Sequence, residues 1–114
     1  RVPGDGGNFV SRIHVDDLVT ITLALGDALV SSPRGTVRVH CVGDAAPTTL
    51  RAHADGVAAR LGLPPPPSVP LDDAPETLRG SRRVSGARIL RELGLTLRHP
   101  TWREGLEACL AAEA

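Results

Sequence analysis

The 114 residues are enough for one modest domain, and the charge balances at zero, 13 basic side chains against 13 acidic. A neutral chain with 41% hydrophobic and 23% charged residues reads as soluble and globular, without the basic footprint of a nucleic-acid binder. No apolar run is long enough to span a bilayer and no signal-peptide pattern opens the chain, so no membrane partner and a cytoplasmic setting are expected.

Met, Tyr and Lys are all missing, with arginine supplying all 13 of the Lys-plus-Arg side chains. The chain opens on Arg1, so a translation start is expected upstream. Chemistry that depends on a phenol or a lysine amine has no residue to perform it here.

Arg1–Asn8 (RVPGDGGN) is a loop of Gly, Pro, Asp and Asn. Its glycines suit either a plain turn or a close approach of backbone to ligand. GDGG lacks the GxGxxG spacing of a dinucleotide-binding turn, and no strand precedes it. Phe9–Ile13 reads as a short strand. A helix follows over Asp16–Val30, with Asp16 expected at the N-cap and Leu18, Ile21, Leu25 and Ala28 at helical spacing. Val19, Leu23 and Val30 lie outside that stripe, so the helix calls for more than one packing neighbour.

Ser31–Gly35 is a turn. Thr36–Val42 alternates Val37, Val39 and Cys41 against Arg38 and His40, the pattern of a strand. A strand must pair along an edge, and two short strands do not make a stable sheet. Thr36–Val42 is therefore expected at the border of a sheet whose remainder lies outside this chain. Cys41 and Cys109 fall within apolar patterns and read as buried free thiols in preference to a disulfide.

Thr48 or Thr49 caps the next helix, whose apolar face is Leu50, Ala54, Val57, Ala58 and Leu61. Gly62 suits a left-handed terminator, and Pro64–Pro67 prevent continuation. Leu63–Val84 is proline-rich and weakly periodic, a linker or a binding loop, with one short helical turn expected over Asp72–Leu78. Arg79, Arg82 and Arg83 close it. They fit either a solvated surface or an anion site, since a guanidinium offers paired hydrogen bonds to phosphate. Ser85 is expected to cap a helix carrying Ile89, Leu90 and Leu93 and ended by Gly94. Thr101 and Glu104 form a capping box for a final helix with Trp102, Leu106, Cys109 and Leu110 on one face.

No catalytic constellation follows from spacing. His14, Asp16 and Asp17 have metal-ligand chemistry, but a helix cap with a neighbouring loop histidine accounts for them, so no metal is expected. His40 and Cys41 project to opposite faces of a strand. His99 stands beside Pro100 with no visible partner.

RIHVDDL at Arg12–Leu18, SGARILRELGL at Ser85–Leu95 and TWREGLEA at Thr101–Ala108 stand in an order and at a spacing found in NAD-dependent epimerase/dehydratase proteins. The chain resembles the C-terminal third of that family, the extended or atypical short-chain dehydrogenase/reductases. It departs from the family at Gly86, where Asn is usual, and at Leu95, where Trp is usual. The resemblance implies an α/β, partial Rossmann-type fold over residues 1–114, with one or two strands and about four helices. It implies NAD or NADP in the full-length protein and a sugar-nucleotide-like or other small substrate. The cofactor loop and the Tyr-x-x-x-Lys pair of the family lie upstream, so neither catalytic nor cofactor-binding residues are expected in this chain, nor activity from it alone. Asn8, Arg82 and Arg83 are the expected substrate-binding side chains, suited to a small anionic substrate. The partners expected are the missing N-terminal part or another chain, including a second copy. The rival reading is a non-catalytic interaction module that completes its fold with a partner.

Overall fold

The computed structural model describes Arg1–Ala114 throughout and divides the chain into two units, Arg1–Ser11 with Pro47–Arg83, and Arg12–Ala46 with Val84–Ala114. The class is α/β: four α-helices and two sheets of two very short strands each. No helix is long and apolar enough to cross a membrane.

The first unit is laced together by its backbone. Strand β1 (Val2–Pro3) pairs in parallel with β4 (Ser68–Val69), and β2 (Phe9–Val10) pairs antiparallel with β3 (Thr48–Thr49). Strand β3 runs directly into helix α2 (Leu50–Arg60), because the Thr49 hydroxyl accepts the Ala52 N–H and caps it. Gly62 takes φ +69° just beyond the helix end, as its position before the prolines predicts. Arg51 ties the helix to the proline run. Its guanidinium donates to the Pro66 carbonyl at 2.8 Å, the Ser68 hydroxyl at 2.6 Å and the Asp55 carboxylate at 3.2 Å. Leu63–Val84 is thus no free linker. Within it two single 3₁₀ turns, Leu71–Asp73 and Glu76–Leu78, stand where one helical turn is expected. Val2, Leu50, Ala58 and Ala74 form the buried apolar centre.

The opening glycine loop serves this packing. Gly6 has φ +70°, and a Cβ there would meet Val2 Cγ1 at 2.5 Å and Arg51 Cβ at 2.8 Å. The close approach is to the chain itself.

In the second unit helix α1 spans Val15–Val30 and starts one residue earlier than the sequence pattern suggests. Its N-cap is His14, not Asp16: the imidazole Nδ1 accepts the Asp16 N–H at 3.2 Å. Of the apolar stripe, only Ile21 is buried, and Leu18 and Ala28 face solvent. Helix α3 (Ala87–Leu93) packs on α1 and buries Ile89. Its N-cap is Gly86 with no side-chain capping bond, and Ser85 lies one position too early, its hydroxyl 3.4 Å from the Ala87 N–H. Backbone packing explains Gly86. A Cβ there would stand 2.8 Å from the Gly43 carbonyl oxygen, leaving no space for a side chain. Helix α4 (Trp102–Glu113) opens on the expected capping box, with Glu104 reaching the Thr101 N–H and hydroxyl.

The predicted strand Thr36–Val42 is absent. The segment has no ladder partner, and Val37 and Val39 are 86% and 90% exposed. Strand propensity without an edge to pair with leaves the backbone with no ladder to join. Cys41, in this segment, and Cys109, on α4, are both free and both exposed, contrary to the buried thiols expected.

Candidate functional site

Asn8 lies just ahead of β2, and its side-chain amide nitrogen donates to the Leu78 carbonyl at 3.1 Å and the Gly80 carbonyl at 2.9 Å. The loop end is then laid beside β2. The Phe9 N–H donates to the Ser81 hydroxyl at 3.0 Å, and the Arg82 N–H to the Phe9 carbonyl at 3.0 Å. Asn8, Arg82 and Arg83 are therefore brought into one neighbourhood by the Asn8 amide, the Ser81 hydroxyl and one main-chain bond. Both arginine side chains are exposed. Arg83 stacks on Phe9 with its guanidinium carbon 4.8 Å from the ring centroid, an interaction of about 0.5–1 kcal/mol at an exposed site. Its alternation with Val84 suggests an inward side chain; the side chain instead is exposed, with its guanidinium over the Phe9 ring. Arg79 is occupied structurally, donating to the Ala74 and Asp72 carbonyls at 3.0 and 2.7 Å. The chemistry this patch offers is two exposed guanidinium groups on a pinned loop, suited to a carboxylate or phosphate.

The second unit carries an apolar groove of about 380 Å³, lined by Leu25, Leu29, Val37, Ile89 and Leu93, with His40 and Glu92 at a polar edge. Arg88 donates to Glu92 at 2.7 Å, and this hydrogen bond holds the Glu92 carboxyl below its ordinary range and raises Arg88 in return.

Elsewhere in that unit the start of α1 meets the loop before α4. Asp17, buried, accepts the N–H of Arg98 at 2.7 Å and of His99 at 2.9 Å. This brings the His99 ring to 4.0 Å from that of His14, centroid to centroid. His14 Nδ1 accepts a hydrogen bond, so the neutral ring carries its proton on Nε2, which lies 3.5 Å from Cys109 Sγ. Asp16 Oδ2 stands 3.7 Å from His14 Nδ1 and 3.6 Å from His99 Nε2. Spacing alone assigns His99 no partner, because 82 residues separate it from Asp17. The one local signal is its place directly ahead of Pro100 and the capping box.

No protein-family model matches the chain. It is 31% identical to 3-diazoavenalumate denitrifying reductase from Streptomyces sp, over 92% of this chain and 35% of that protein. It also superposes on the solved structure of a functionally unknown conserved protein from Silicibacter pomeroyi DSS, with a TM-score of 0.74 and 32% identity, covering 97% of this chain and 40% of that one. The chain is thus similar to a reductase, and it spans about a third of that reductase's length.

Proposed function

We propose that this chain is the C-terminal, substrate-side portion of an NAD(P)-dependent reductase of the extended or atypical short-chain dehydrogenase/reductase type, related to the sugar-nucleotide epimerases and dehydratases. The observation that carries the reading is the uncovered strand-like segment Thr36–Val42, with Val37 and Val39 in solvent and ladder bonds unmade. Helix α1 adds Val15, Val19, Leu23 and Val30, all exposed, on the same unit. Apolar surface of this extent marks an interface. A longer polypeptide, as in the reductase relative, supplies a cover for it.

On this reading NAD or NADP is bound by polypeptide outside these residues, and the exposed Arg82 and Arg83 meet an anionic group of a small substrate. This chain contributes binding surface, and the hydride transfer takes place on the cofactor's side. Calorimetric titration with NADH and NADPH tests it. The isolated chain is expected not to bind at micromolar concentration, whereas the longer polypeptide that contains it binds one equivalent. Micromolar binding by the chain alone overturns the proposal. A longer polypeptide that binds neither cofactor favours the rival, an interaction module whose apolar surface is covered by a partner chain.

A further inference from the structure

We infer that His14, Asp16 and His99 form a binding site for one divalent transition-metal ion of the zinc class. This rests on the second unit alone and is independent of the reductase reading. One donor atom from each of the three residues lies within 4.8 Å of the other two. At metal–ligand bonds of about 2.0–2.2 Å, tetrahedral donors stand roughly 3.3–3.6 Å apart. Asp16 Oδ2 is 3.7 Å from His14 Nδ1 and 3.6 Å from His99 Nε2, already close to that spacing, and the two imidazole donors, within 4.8 Å of each other, draw together by about 1 Å on binding. The same separations are too long for hydrogen bonds.

The independent observation is His99 Nε2. His99 is only 9% exposed, and its Nε2 is buried without any hydrogen-bond partner. Buried polar atoms are normally satisfied, and this one faces the Asp16 carboxylate. A metal ion would engage the nitrogen lone pair in the neutral imidazole and leave the proton on the other nitrogen.

The surroundings hold the donors in place as an outer shell does around a metal. Asp17 fixes the backbone of Arg98 and His99. Nε2 of His14 carries its proton toward Cys109 Sγ, which leaves the Nδ1 lone pair on the side of Asp16. Ligation by Nδ1 exchanges the cap bond from the Asp16 N–H for a metal bond. Gly105 makes room for the His14 ring, since a Cβ there would lie 3.3 Å from Cδ2. Arg98 competes weakly, reaching Asp16 Oδ2 only at 4.0 Å from an exposed position. Two imidazoles and one carboxylate suit zinc and its neighbours.

The test is titration of the full chain with Zn²⁺ alone, in competition with a chromophoric chelator, and with Co²⁺ to read the visible bands of a tetrahedral site. One equivalent is expected to bind at micromolar concentration, with a rise in melting temperature. Asp16→Asn and His99→Gln should each weaken binding at least tenfold, while His40→Gln leaves it unchanged. Asp16 is exposed, so its variant folds even where the His99 variant does not. Absence of binding below millimolar Zn²⁺, or binding that survives Asp16→Asn, overturns the site.

Discussion

The Asp17 carboxylate accepts the backbone N–H of His99 at 2.9 Å, joining the first turn of α1 to the loop before α4. A second bond, from the Arg98 N–H at 2.7 Å, makes the contact two-pronged. One short acidic side chain thereby links parts of its unit that lie more than eighty residues apart.

Removing that carboxylate leaves two donors without partners. Asp17→Ala is expected to cost about 2–4 kcal/mol, roughly 1–3 kcal/mol for the buried His99 N–H and about 1 kcal/mol for the part-buried Arg98 N–H, which water reaches. Asp16→Ala, one residue away but exposed, should cost under about 0.5 kcal/mol in the absence of metal. Urea denaturation of the pair decides it, and equal losses would refute the assignment of Asp17 as the structural acid.

The capping box gives a pH dependence with a definite sign. Bonds from Thr101, first its hydroxyl and then its backbone N–H among other backbone contributions, hold the Glu104 carboxyl below its ordinary value. A depressed carboxyl stabilises the fold above its unfolded value, and that contribution is lost as pH falls through the folded one. Melting temperature should therefore decline on acidification below the usual carboxyl range, and decline less in Glu104→Gln. Thr101→Ala should cost about 1 kcal/mol at neutral pH, the usual loss of an N-cap.

Gly86 is a packing requirement. Its φ of −87° suits any residue, yet a Cβ there falls 2.8 Å from the Gly43 carbonyl oxygen. Gly86→Asn, the change toward the family pattern, should destabilise the isolated chain by about 1–3 kcal/mol, the cost of overpacking. Thermal unfolding measures it, and an unchanged melting temperature would mean that the Gly43 turn gives way freely.

Val37 and Val39 are expected to make the isolated chain associate and bind hydrophobic dyes. Replacing both with Thr should reduce dye fluorescence and the apparent mass in solution while shifting stability by less than about 0.5 kcal/mol for each change, because neither side chain packs. A wild-type chain that is a strict monomer without dye binding contradicts this.

In the longer enzyme proposed above, Arg83→Ala should raise KM for an anionic substrate several-fold with a smaller change in kcat, the mark of lost ground-state binding. Arg82→Ala is expected to act in the same direction. Unchanged kinetics in both would return the pair to solvated surface.

Where the information was local, the sequence by itself determined the outcome. Thr49, Gly62, Thr101 with Glu104 and Gly94 set the ends of α2, α3 and α4, since a cap needs only a hydroxyl, a carboxylate or a left-handed φ within a few residues. The four helices follow from apolar periodicity in the same way. Tertiary structure decided the rest. His14 took the cap from Asp16, because Asp16 stands inside the first turn with its N–H turned to the imidazole. Asp17 turned inward to bind a loop more than eighty residues away, which no local pattern encodes. Thr36–Val42 has the alternation of a strand but no neighbour to supply the ladder, and a strand, unlike a helix, cannot satisfy its own backbone. The Asn8, Arg82 and Phe9 grouping likewise exists only through hydrogen bonds between segments some seventy residues apart, from the Asn8 side chain and the Arg82 N–H.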